Sequence, residues 1–256
     1  MKIWCQSCTP LGHGEPWDTY QRSLERRIDE IVRPGTTAEL HGADYPISGV
    51  DRFRAAGNVC QWQTIRNAVR AEKAGYDAFV MLSTNDAGFY EIRELTKIPV
   101  VFITEASLHL SCLLSDKFGY VTHNSASLRR RIGLVEQYGL AHRMVPGAHL
   151  DITYNNFQEM FENPKPYLES ISQKAREVVN RGAGVLLTSP LVINRCLLDN
   201  NVWEIDGAVV LDAAAAVIKL AELMVDYKAI GINRCKTGNY APPPTDVLEP
   251  LKKLYD

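Results

Sequence analysis

Two segments constrain what this chain can fold into more than any others: Asp77-Ala-Phe-Val-Met-Leu-Ser-Thr-Asn-Asp86 and Gly182-Ala-Gly-Val-Leu-Leu-Thr-Ser-Pro190. Each is a short apolar run that follows a helical stretch closed by glycine, Gly75 in one case and Gly182 in the other, and each empties into a cluster of hydroxyls. A short strand buried on both faces reads as a continuous apolar run, and ligands of open α/β sheets collect beyond the carboxyl ends of such strands. Two such ends predict two α/β halves facing one another, with a substrate between them.

The rest of the chain alternates in the same way. Apolar runs at 2–6, 36–41, 77–82 and 98–103 read as strands. Between and after them, 17–32, 61–74, 88–96 and 106–115 read as helices, the first stopped by Pro34-Gly35. The pattern restarts with strand 118–122, helix 125–138, a strand around 142–146, helix 164–181 and strand 184–188. A last strand at 208–211 leads into an alanine-rich helix at 212–225 and a tail holding Pro242-Pro-Pro244. Alternating β and α units imply mostly parallel sheets with right-handed crossovers. The fold class is therefore α/β, two pseudo-symmetric Rossmann-like lobes with parallel sheets, one from 1–106 with 208–256 and the other from 107–207.

Twenty-eight basic against 30 acidic residues give a net charge of −2, without the basic excess a nucleic-acid binder carries. No apolar run is long enough to span a bilayer, and the first residues enter a strand directly, so neither nucleic acid nor membrane is an expected partner and the cytoplasm is the expected location. A homo-oligomer is compatible with the sequence. The six cysteines, at 5, 8, 60, 112, 196 and 235, have no disulfide-framework spacing and are expected to be reduced. Cys5 and Cys8 form a C-x-x-C, but no second pair completes a metal set and Pro10 stands where a redox helix would begin, so they read as lining a loop.

Several ordered pieces carry a family likeness. The segment 77–88, Arg93-Glu-Leu-Thr-Lys-Ile-Pro-Val-Val101, Gly119-Tyr-Val-Thr122, Tyr138-Gly139, Val210-Leu-Asp-Ala-Ala-Ala-Ala216 and Tyr240-Ala-Pro-Pro-Pro244 together resemble the aspartate/glutamate/hydantoin racemase superfamily across nearly the whole chain. The resemblance implies an active site in a cleft between two lobes, with no cofactor and no metal. It also implies two cysteines, one per lobe, as thiolate base and thiol acid on opposite faces of the substrate carbon. Here the first position falls on Ser83 and the second on Pro190, or on Ser189 if the turn is one residue shorter. A thiol with a pKa near 8.5 can be tuned to exchange a proton near neutrality and a serine hydroxyl unaided cannot, so two-cysteine racemisation and single-cysteine decarboxylation are both expected to be absent.

What remains is a set of neutral donors. Ser83, Thr84 and Asn85 end one strand, and Thr188 and Ser189 end another; Thr122 ends a third. Gln6, Ser7, Cys8 and Thr9 follow the first strand, where the resemblance places a substrate loop. Hydroxyls and backbone N–H groups of this kind hold carboxylates, although serine and threonine at such turns also simply cap the next helix. Among titratable groups His123 ranks first, poised to exchange protons near neutral pH. Glu105 is a weaker substrate contact, Asp86 reads as a cap, and His41 ranks below them. Arg129-Arg-Arg131 reads as the solvated face of an amphipathic helix with Leu128, Ile132 and Val135 inward. The expected function is a cofactor-independent isomerase, of cis–trans or tautomer type, acting on a small unsaturated or keto mono- or dicarboxylic acid. The catalytic set is Ser83, Thr84, Ser189 and His123. A hydrolase or carbon–carbon lyase with a serine nucleophile, and a non-catalytic carboxylate binder, stay open as alternatives.

Overall fold

A computed structural model describes every residue except 13–16, 46, 48, 51, 52, 154, 155 and 256. The chain divides into two compact units. The first takes Met1–Gly12, Ile28–Ile103 and Val217–Asp256, and the second takes His13–Arg27 and Thr104–Ala216.

In chain order the elements of the first half are β1 (Lys2–Gln6), α1 (Asp18–Ile31), β2 (Thr37–His41), α2 (Arg54–Lys73), β3 (Ala78–Met81), α3 (Phe89–Leu95) and β4 (Val100–Phe102). The strands form one all-parallel sheet in the order β2-β1-β3-β4. Every residue of β3 and β4 is buried, which is why these strands were apolar throughout rather than alternating.

The second half continues with α4 (Ile103–Leu114), β5 (Phe118–Thr122), α5 (Ser125–Gln137), β6 (Ala148–His149), α6 (Asn156–Glu162), α7 (Pro164–Val179), β7 (Val185–Ser189), α8 (Leu191–Asp199), β8 (Glu204–Ile205), β9 (Ala208–Val210), α9 (Ala213–Ala229) and α10 (Thr245–Leu254). Its sheet has the order β6-β5-β7-β9-β8 and is parallel except for the terminal β8–β9 hairpin. That hairpin turns on Asp206 and Gly207, both at positive φ, the backbone that a tight two-residue turn requires. The core around β5 and β7 is built from Leu108, Phe118, Tyr120, Val135, Val185, Leu187 and Leu211. Helix α7 lies so close to β5 that a Cβ on Gly119 would come within 2.3 Å of Val178 Cγ1. Both sheets thus share one spatial pattern, with the strand that opens each unit second from the edge.

The α/β class with parallel-sheet cores is the one expected, and five local readings are corrected. Helix α2 begins at Arg54, not at 61. The strand around 142–146 shrinks to a 3₁₀ turn, Ala141–Arg143, followed by a single parallel bridge of Met144 to Phe118, and the strand that pairs further along β5 is β6, because Pro146 cannot donate to a ladder. Strand β9, expected with the first lobe, pairs with β7 in the second sheet. On α5 the inward stripe is Ser127, Arg131 and Val135, four residues apart each time, so Arg131 is 1% exposed while Ile132 faces out. Finally, the cysteines are not all reduced: Cys8 and Cys60, 52 residues apart in sequence, form a disulfide with their Cα atoms 6.1 Å apart. Cys5 and Cys196 are buried free thiols, Cys112 is partly exposed and Cys235 exposed. Among the described residues no helix is long and apolar enough to cross a membrane.

Candidate functional site

In the first unit the candidate residues gather at the carboxyl ends of β1 and β3. These strands run in register, Gln6 opposite Met81, and the Leu82 N–H donates to the Gln6 carbonyl at 2.8 Å, so the loop after β1 starts beside the Ser83 turn. Ser83, Thr84 and Asn85 are partly exposed there. The turn is closed by the Asp86 N–H donating to the Ser83 carbonyl at 3.1 Å, and the Asn85 N–H lies 3.5 Å from Ser83 Oγ. Asp86 is 4% exposed and takes φ +46°, in the left-handed region, where aspartate is tolerated better than most residues.

The loop itself is a woven piece of backbone. Ser7 donates its N–H to the His41 carbonyl and accepts the Thr9 N–H on Oγ at 3.0 Å; the Thr9 carbonyl accepts from both Leu11 and Ala43. Cys8 is tied to α2 by its disulfide. Gln6 is spent internally. Its amide donates to the carbonyls of Ser7 and Gly42, both at 2.8 Å, and its carbonyl accepts from Trp4 Nε1 at 2.9 Å and Asn67 Nδ2 at 3.1 Å. It clamps strand, loop and helix together. His41 stacks on Trp4 with ring centroids 3.5 Å apart, and burial holds its pKa below the usual imidazole range.

In the second unit the candidates gather at the ends of β5 and β7, where Thr122 pairs with Ser189. All are buried: Thr122, His123, Thr188 and Ser189 are each 6% exposed or less. The His123 N–H donates to the Ser189 carbonyl at 3.1 Å, and its ring packs edge-on to Phe157, 5.8 Å between centroids. Asn124 caps α5, accepting the Ser127 N–H at 2.8 Å. That cap sets Ser127 facing β7, its Oγ 3.5 Å from Ser189 Oγ, and makes Ser127 a member of the cluster that sequence reasoning missed. Placing the cap at Asn124 and counting three residues on would have found it. Thr188 Oγ1 is buried without a hydrogen-bond partner among the described residues. Pro190 opens α8, and Glu105 lies in the first turn of α4, half-buried, on the second unit's side of the division.

These groups offer hydroxyls, backbone N–H groups and an imidazole. The buried thiols offer little proton chemistry near neutrality, because burial pushes both Cys5 and Cys196 up to about 12. Among the described residues no group of three or more His, Cys, Asp or Glu side chains is arranged to hold a metal ion.

Against known proteins, residues 19–189 match the family model described as Asp/Glu/hydantoin racemase. The chain belongs to this family. Among its relatives are a hydantoin racemase of Pseudomonas sp. (strain NS671), 27% identical over 179 residues, covering 70% of this chain and 69% of the relative. Another is a hydantoin racemase of Paenarthrobacter aurescens, 27% identical over 183 residues, covering 70% and 73%. Solved structures share the fold. The allantoin racemase from Klebsiella pneumoniae superposes with a TM-score of 0.79 at 19% identity, over 96% of this chain and 94% of that one. The allantoin racemase from Pseudomonas fluorescens gives 0.75 at 19% identity, over 95% and 97%. Membership supports an isomerase of the racemase superfamily, in agreement with the resemblance carried by the sequence motifs. For this family member, Ser83 and Ser189 stand at two strand ends rich in hydroxyls.

Proposed function

We propose that the protein is a cofactor-independent isomerase that shifts a proton on a small unsaturated or keto mono- or dicarboxylic acid and stabilises the enolate with hydroxyl and backbone donors. The observation that carries this reading is the composition of the strand ends. Ser83, Thr84 and Asn85 end β3, and Ser127, Thr188 and Ser189 gather at β7, with one buried imidazole, His123, beside them.

The chemistry follows from that inventory. A proton leaves the carbon γ to the substrate carbonyl for the His123 ring; its electron pair forms the β,γ double bond, the former α,β π pair moves between the α carbon and the carbonyl carbon, and the carbonyl π pair moves to oxygen as a dienolate. Fixed donors hold that charge, each contributing about 2.7–4 kcal/mol to the transition state. In the dienolate the former α,β double bond is single, so the chain can rotate about it. Imidazolium then returns the proton, and atoms and electrons balance with no oxidant or reductant. An imidazole is suited to both halves because its ordinary pKa lies near neutrality.

A second reading is favoured by the relatives' names: a hydantoin ring, whose carbon between carbonyl and nitrogen also passes through an enolate held by the same donors. One experiment separates the readings. The protein is incubated in deuterated water, with a chelator present, with a panel of unsaturated diacids, keto acids and 5-substituted hydantoins, and followed by proton NMR and polarimetry. Deuterium entry or isomer exchange in the acids supports the first reading; loss of rotation in the hydantoins supports the second. Chain cleavage or hydrolysis would replace both with a lyase or hydrolase, and line broadening without any exchange would leave a binding protein.

A further inference from the structure

The Cys8–Cys60 bond sits where two parts of the first unit meet. On one side is the loop after β1, in which Cys8 is partly exposed between Ser7 and Thr9. On the other is the front of α2, where residues 53–55, 58 and 59 are exposed and Cys60, 3% exposed, is the first buried side chain of the helix. Behind Cys60 the helix is held by a buried face of Gln63, Thr64, Asn67, Ala68 and Ala71. In front of it, the disulfide is the covalent hold. The same bond fixes the loop that starts beside the Ser83 turn.

We infer that Cys8–Cys60 is a reversible thiol–disulfide site, opened by a dithiol reductant, that sets how tightly the β1 and β3 strand ends of the first unit hold a ligand. This rests on the reading that Ser83, Thr84 and their neighbours bind substrate. Exposure directs the reaction. A thiolate of the reductant attacks the accessible Cys8 sulfur, the S–S bond breaks, and Cys60 leaves as a thiolate and takes a proton. The reductant's second thiolate then attacks the mixed disulfide, releasing Cys8 as a thiol and closing the reductant's own disulfide. Two electrons and two protons pass to the cysteine pair. Oxidised, the loop and the front of α2 are held; reduced, both are released and substrate is bound more weakly, with the chemical step unchanged.

The test uses the full chain, prepared without reductant and again after dithiothreitol. Alkylation with mass spectrometry should find Cys8 and Cys60 blocked in the first sample and labelled in the second. Amide hydrogen exchange at residues 7–12 and 54–60 should quicken at least tenfold on reduction, while β5 and β7 stay unchanged. For whichever substrate the NMR panel identifies, KM should rise at least fivefold with kcat held, and the Cys8→Ser, Cys60→Ser double variant should show the raised KM without reductant and no response to it. Alkylation of Cys8 and Cys60 in the unreduced sample, or exchange unaltered by reduction, would overturn the site. Quickened exchange with KM unmoved would overturn its control of ligand affinity and leave the isomerase reading standing. If nothing in the panel turns over in either state, the isomerase reading and the control of affinity fall together, and the thiol site stands or falls on the exchange result.

Discussion

Replacing Gln6 by methionine should cost stability rather than ligand binding. The two side chains have similar length and volume, so the change removes hydrogen bonds with little cavity. Four strong contacts go: two to the carbonyls of Ser7 and Gly42, one from Trp4 Nε1 and one from Asn67 Nδ2. Asn67 is 2% exposed, so its stranded amide bears the full desolvation cost of about 1–3 kcal/mol. The partly buried Gly42 carbonyl and Trp4 indole can recover some water, and each adds about 0.5–1.5 kcal/mol. The total is roughly 2–6 kcal/mol, large against the 5–15 kcal/mol typical of a folded domain. Urea titration followed by circular dichroism reads it as a lower midpoint at unchanged slope. A double-mutant cycle makes the reasoning sharper. Asn67→Leu alone should also destabilise, but on the Gln6→Met background it removes the stranded donor, so the pair should cost less than the two single changes added together. A loss below about 1 kcal/mol for Gln6→Met, or strict additivity in the cycle, would refute the clamp and return Gln6 to the ligand-binding set.

Other expectations are more quickly stated. Ser83→Ala and Thr188→Ala should each lower kcat/KM by the about 2.7–4 kcal/mol of one lost donor, slow but measurable, and a change of less than threefold in either would remove that residue from the site. His123→Gln should reduce kcat by about 10²–10⁴-fold, and a loss of less than about threefold would deny the ring a part in moving the proton. Burial works to raise the pKa of Glu72, but hydrogen bonds from Lys252 and from the N–H groups of Lys97 and Ile98 outweigh it, so the folded value lies below the ordinary one. That stabilisation is complete above the unfolded carboxylate's pKa of about 4.3 and is lost as pH falls through the folded value. Glu72→Gln should therefore flatten the acid limb of a stability–pH curve, and an unaltered limb would contradict the assignment.

The sheets were legible because strands buried on both faces leave uninterrupted apolar runs, as at Ala78–Met81 and Val185–Ser189. Helix α8 was not, for the opposite reason: every residue from Leu191 to Leu198 is buried, so no periodic polar face marks it as a helix. Arg131 was misplaced because a guanidinium in the interior breaks the apolar period that defines an inward stripe. Of the candidate site, the polar strand ends were readable as turn chemistry, and the positions of Ser83 and Ser189 came with them. Ser127 was hidden behind its own cap. The Cys8–Cys60 pair could not be read at all, since its partners meet only after β1 and α2 have packed.

Neither unit is a continuous stretch of chain, and this has a consequence for synthesis. The second unit has all its residues once the ribosome passes Ala216, whereas the first still lacks Val217–Asp256 at that moment. Those residues carry Glu222, which accepts the Arg33 N–H, Asp226, which pairs with the Arg33 guanidinium, and Lys252, which reaches Glu72. The half of the protein made first is thus finished last. A nascent chain stalled before 217 would expose the surface of the first unit that α9 and α10 cover, and the segment most in need of a chaperone is the amino-terminal sheet waiting for its carboxyl-terminal helices.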